Sequence, residues 1–293
     1  MQSLFRPATL IMDRFRYSAK FGLIFGVILV PLIVLNSMLV SNIDDSIDFL
    51  KNEQQGLAYL KVARLPIEHI QQHRGMTSAY LNGNKDFHDR IMQKRADVEK
   101  HLASLQAIDK ELGTPLSTGG RVQDILSQWK NIKGNSLTAT PGDNIKAHST
   151  LIADILGLMS RVADTSEITL DPSLDSYYLG DALVNRLTNL TENMGQARAV
   201  GSGAAAAGKF TPAAYTKLAV LAENIKSYNT SLSSGLAAVF DYNPELKKVL
   251  GSQVQANNDA INKMESMLHH DLLDADAITV SSNSVFNTAT QAI

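Results

Sequence analysis

The 293-residue chain contains no cysteine, which excludes a disulfide framework, thiolate chemistry and cysteine-ligated metal sites. Aromatic residues make up only 6%, and Ala, Leu, Ser and Asn dominate, a composition that suits long helices better than sheets. No stretch alternates apolar and polar residues as a half-buried strand would. There is also no G-x-S-x-G, H-E-x-x-H, P-loop or dinucleotide-binding glycine pattern, so the sequence gives no reason to expect an enzyme or a bound cofactor. Excess positive charge is missing too: 27 basic residues face 29 acidic ones, which disfavours nucleic-acid binding.

What the sequence does have is a run from Phe21 to Val40 without a single charge. At about 1.5 Å per residue such a run forms a helix of about 30 Å, the thickness of a bilayer's hydrocarbon core. Arg6, Arg14, Arg16 and Lys20 precede it against one acid, Asp13, while Asp44, Asp45 and Asp48 follow it. The positive-inside rule then keeps residues 1 to 20 in the cytoplasm, makes 21 to 40 a transmembrane helix and puts 41 to 293 outside. In a bacterium this is an inner-membrane protein with a periplasmic domain of net charge about −5. The run exceeds a usual signal-peptide core and its exit lacks an A-x-A-like cleavage site, which favours an uncleaved anchor. Pro31 is tolerable where another group satisfies the freed carbonyl.

Beyond the anchor, apolar residues recur in steps of three and four, the pattern of packed helices. Ile43, Ile47, Leu50 and Leu57 start it; Leu183, Leu187, Leu190, Met194 and Ala197 repeat it. Leu218, Leu221, Ile225, Leu232, Leu236 and Val239 follow, then Leu246, Leu250, Val254, Ile261, Met264 and Leu268. Asp171-Pro172, Thr211-Pro212 and Asn243-Pro244 each place a capping side chain before proline and mark helix starts. Gly113 to Gly120 and Thr138 to Asp143 read as loops. Helices are expected at about 42 to 82, 86 to 112, 119 to 133, 144 to 170, 172 to 207, 212 to 241 and 244 to 293. Helices of that length predict an all-α, elongated antiparallel bundle, two stacked four-helix bundles sharing long helices after one transmembrane helix. The last helix, unbroken through Ile278 to Val285, heads back to the bilayer, so the chain is expected to stop short of a second crossing and of cytoplasmic domains.

Two segments resemble each other, Gln71-Gln72-His73-Arg74-Gly75 through Gly83 and Gly195-Gln196-Ala197-Arg198 through Gly208. Each sets a Gln and an Arg beside small residues, which let helix backbones approach while a guanidinium offers its fork of donors to an anion. The alternative is an arginine that snorkels or pairs with an acid. His69 and His73 stand four apart with Glu68 adjacent but without an evident third ligand, and His269-His270 with Asp271 and Asp274 is an equally weak metal signal. Asp171 and Asp175 read as cap and second-turn acid rather than catalytic carboxylates.

The anchor, His73-Arg74-Gly75 through Tyr80-Leu81, Val162-Ala163-Asp164, Leu170-Asp171-Pro172 through Tyr178-Leu179 and Gly195-Gln196-Ala197-Arg198 together resemble a methyl-accepting chemoreceptor with a nitrate- and nitrite-sensing, helical-bimodular ectodomain. The resemblance implies a homodimer that binds a small oxyanion or organic acid and signals to cytoplasmic proteins by helix displacement. It carries ligand binding onto Arg74 and Arg198, with Gln71, His73 and Gln196 beside them. His before Arg74 and Ala before Arg198 depart from the acidic or second basic residue often found there. The same ectodomain on a histidine kinase or diguanylate cyclase, or a ligand-free structural rod, are the competing readings.

Overall fold

The computed structural model describes residues 15–83 and 85–293, so Arg6, Asp13 and Arg14 of the charged flank lie outside the described residues. The described residues are helical, without strands. They divide into one unit up to Lys51 and another from Asn52 onward.

Helix α1, Tyr17–Ala63, contains the apolar run and is, among the described residues, the helix long and apolar enough to cross a membrane. Phe21, Ile28 and Leu35 expose their side chains, as a lipid-facing surface requires. The expected helix from 42 to 82 is in fact two, because α2, Leu65–Leu81, restarts after Arg64. Pro66 has no N–H to give the Val62 carbonyl, so the ladder breaks there. Ile43, Ile47, Leu50 and Leu57, expected in a core, are exposed on this single chain. The buried face of α1 consists instead of Gly56, Tyr59, Leu60 and Ala63.

Four helices follow: α3, His88–Leu112; α4, Arg121–Asn135; α5, Pro141–Thr165; and the short α6, Leu174–Asp181. Buried side chains at three- and four-residue steps (Val98, Leu102 and Leu105; Val122, Ile125, Trp129 and Ile132; Leu151, Ile155, Leu158 and Val162) pack with Tyr59, Leu60, Ile67 and Ile70 into one core. A second core joins α7, Leu187–Ala207; α8, Pro212–Tyr242; α9, Pro244–Ser266; and α10, Ser282–Ala292. It is filled by Leu190, Met194, Leu218, Ile225, Ile261, Met264, Leu268 and Val285 among others.

Caps agree with the sequence in part. Thr211 accepts from the Ala214 amide at 3.2 Å, with Pro212 at the first helical position. Asn243 makes no side-chain cap and instead donates to Asp175 at 3.0 Å. Asp171 closes a small turn onto the Ser173 amide at 2.8 Å, so α6 begins two residues past Pro172. Thr140, read as loop, caps α5 through the Asp143 amide at 3.1 Å. Gly208, at φ 64°, ends α7 in a Schellman turn: its amide reaches the Ala205 carbonyl and that of Lys209 the Ala204 carbonyl.

The expected helices from 172 to 207 and from 244 to 293 are interrupted. A five-residue π turn, Ala182–Arg186, joins α6 to α7. A π turn at Met267–Leu273 ends α9, and the chain leaves helix until Ser281 caps α10 through the Ser284 amide at 3.1 Å. Ile278-Thr279-Val280 is a β-branched run of low helix propensity, and the π turn puts Ile278 and Val280 against the second core. The unbroken final helix expected from the heptads is therefore replaced by a π turn, a bend and a separate α10.

Candidate anion site between α2, α7 and α10

Gln71 and Arg74 lie one turn apart on α2, and Glu192 and Gln196 one turn apart on α7. Gly195 lets the two helices approach: a Cβ there would sit 3.0 Å from Arg74 Nη2 and 3.5 Å from the Gln71 carboxamide. Arg74, fully buried, donates from Nη1 to Glu192 Oε1 at 2.6 Å and from Nη2 to Oε2 at 3.2 Å, a bidentate ion pair. Its Nη1 also donates to Ser149 of α5 at 2.8 Å. The carboxylate accepts two further bonds, from Gln71 Nε2 at 3.0 Å and Gln196 Nε2 at 2.9 Å. Every acceptor direction of Glu192 is thereby used.

Arg198 is 2% exposed and has no carboxylate partner among the described residues. Nη1 donates to Thr290 of α10 at 2.9 Å and Nη2 to the Gln71 carbonyl at 3.4 Å. The guanidinium carbon lies 5.0 Å from the Phe286 ring centroid, a cation–π contact. Burial first, then repulsion from Arg74, lowers its pKa to about 10, with Glu192 opposing; it stays charged at neutral pH. Its Nε–H is buried and has no acceptor among the described residues. The guanidinium borders a cavity of about 280 Å³ lined also by Gly75, Ala79, Ser202, Ser282 and Phe286. Gly75 leaves the space, since a Cβ there would come within 4.0 Å of Arg198 Nε. The Ser202 hydroxyl is likewise buried and unpartnered among the described residues. Ser281, Ser282 and Asn283 at the start of α10 complete the wall, where the amides of the first turn lack intrahelical acceptors.

His73 faces away from this cavity. His148 Nδ1, 2.7 Å from the Asn144 carbonyl, must carry a proton, which leaves Nε2 to accept from His73 Nδ1 at 2.7 Å. His73 Nε2 then accepts from Arg95 Nε at 3.4 Å. Both imidazoles are neutral, and burial is the main reason that their pKa values fall to about 2 for His73 and about 4 for His148. His69 stacks on His101 at 4.6 Å instead of sharing a site with His73. His269 lies 3.3 Å from Asp274.

Of the five residues expected at the site, Arg74, Arg198, Gln71 and Gln196 come together and His73 belongs to a neighbouring network. Glu192, Ser149, Thr290 and the start of α10 gave no local signal. Glu192 falls between the apolar positions Leu190 and Met194, which reads as a solvated face, and glutamate is seldom buried unless paired.

The family model for nitrate and nitrite sensing matches residues 67–293, and the chain belongs to that family of helical sensor domains. Among solved structures, its fold is similar to that in "Structure of the NasR transcription antiterminator", with a TM-score of 0.59 and 15% identity over 88% of this chain and 69% of that one. Comparison with curated proteins gives no match.

Proposed function

We propose that the chain is the sensing region of a bacterial membrane chemoreceptor of the methyl-accepting type, and that it binds a small monoanion of the nitrate or nitrite class beside Arg198. The observation that carries the site is a buried guanidinium whose Nε–H, unpartnered among the described residues, borders a cavity. The Gln71 carbonyl holds it directly by accepting from Nη2, and beside it Gln71, Arg74 and Gln196 converge on Glu192. The Ser202 hydroxyl and the amides of Ser282 and Asn283 at the start of α10 supply the remaining donors. The domain acts by binding, without catalysis.

The two cores are read as two four-helix bundles, one from α2 to α5 and one from α7 to α10. The apolar α1 supports an inner-membrane anchor with a periplasmic domain. Ile43, Ile47, Leu50 and Leu57 follow coiled-coil spacing with Gln54 at the one polar seam position, which supports a homodimer through α1. Because Arg198 bonds α10 and the cavity touches its N-terminus, an anion there would favour one of two positions of α10, a shift of order 1 to 2 Å. Signal would then pass to cytoplasmic partners of the chemotaxis type.

Isothermal titration calorimetry of the detergent-solubilised chain with sodium nitrate and sodium nitrite tests the site. Saturable heat that disappears in Arg198→Ala is the expected result. No heat with either salt, or the same affinity in the variant, rejects it.

A further inference from the structure

Glu192, which no sequence motif marks, carries a buried carboxylate beside the two arginines. We propose that Glu192 is the specificity-determining residue of the anion site, fixing its buried charge so that one monoanion is accepted and dianions are refused. The inference rests on the reading that an anion binds beside Arg198.

Three ionic groups meet where α2 crosses α7: Arg74, Arg198 and Glu192. Two positive charges and one negative leave a single positive charge to be compensated. A monoanion makes the cluster neutral. A dianion leaves one negative charge without a partner in a buried site, where desolvation is not repaid. Lys217 also feels Arg74 and Glu192, but its side chain reaches solvent and its charge is screened.

The carboxylate is built in rather than incidental. It is 8% exposed, and four donors from Gln71, Arg74 and Gln196 hold it against Arg74. Both glutamines are neutral donors, so they orient Glu192 without altering the charge count. Gly195, one turn on, keeps the helices close enough for the bidentate contact. Glu192 acts through Arg74 and the local field; the residue that faces the cavity is Arg198.

The test is calorimetric titration of the full chain in detergent with sodium nitrate and sodium sulfate at equal ionic strength, on the wild type, Glu192→Gln and Gln196→Glu. The wild type is expected to bind nitrate at least about tenfold more tightly than sulfate. Glu192→Gln raises the site to two positive charges and is expected to shift the sulfate-to-nitrate affinity ratio by about tenfold or more toward sulfate. Gln196→Glu brings the count to zero and is expected to weaken nitrate by about tenfold or more while the melting curve stays cooperative. A folded Glu192→Gln protein with wild-type discrimination overturns the proposal; if that variant does not fold, a Gln196→Glu protein with wild-type nitrate affinity overturns it. A wild type that binds sulfate as well as nitrate rejects the role of Glu192 and leaves the anion site standing, whereas a wild type that binds neither rejects both.

Discussion

At the scale of single residues, Arg74 and Arg198 look alike in the sequence and differ in the structure. Arg74 is consumed by an ion pair with Glu192, and Arg198 is not. Removing one member of a buried pair strands the other, so Arg74→Ala is expected to lose about 3–5 kcal/mol of stability, read from urea denaturation. Arg74→Ala combined with Glu192→Ala leaves no stranded charge and should recover part of that loss, a coupling measurable in a double-mutant cycle. The neutral pair His73–His148 makes stability depend on pH. Both imidazoles have folded pKa values below that of a free histidine, so the unfolded chain takes up protons first as pH falls. Their contribution is complete above about pH 6.5 and drains away toward about pH 4 for His148 and about pH 2 for His73. Melting temperature should therefore fall between pH 7 and pH 5, and His148→Gln should flatten that profile. A profile of equal slope in the variant would assign the pH dependence to other groups.

At the scale of elements, the regular periodicity of α8 is readable because its apolar face is buried over several turns, and that of α9 because its last turns bury Ile261 and Met264. The breaks were less readable. Pro66 and the β-branched run Ile278 to Val280 lie inside stretches whose apolar spacing continues through them, and spacing alone cannot report a lost hydrogen bond. Thr140 was hidden inside a Pro-Gly segment that resembles a turn, although Thr-Pro is also a helix start. Its cap has a measurable weight: Thr140→Ala should cost about 1 kcal/mol, or about 2 to 4 °C in melting temperature for a domain of this size. A Thr140→Ser protein keeps the acceptor and should melt close to the wild type.

At the scale of the whole molecule, the exposed seam of α1 is the feature a lone chain leaves unexplained. Isoleucine and leucine at coiled-coil spacing are exposed between 41% and 55%, next to the apolar stretch of α1. The absence of native cysteine makes the seam directly testable, since any introduced thiol is unique. Leu50→Cys in membranes should form a disulfide-linked dimer under mild oxidation, and Asp48→Cys, two residues round the helix, should do so far less. Equal yields from the two positions would place the dimer contact elsewhere.

The sequence by itself determined the class of structure. A charge-free run of bilayer length and apolar steps of three and four leave helices as the arrangement that satisfies both the backbone and the apolar faces. It also put both arginines and both glutamines into two similar segments, because small residues beside them are visible locally. Only the tertiary structure decided that Glu192 neutralises Arg74, that Arg198 borders the cavity, and that α10 turns its start toward it. The physical reason is that charge compensation joins residues more than a hundred positions apart, and no local pattern encodes which buried donors will find a partner.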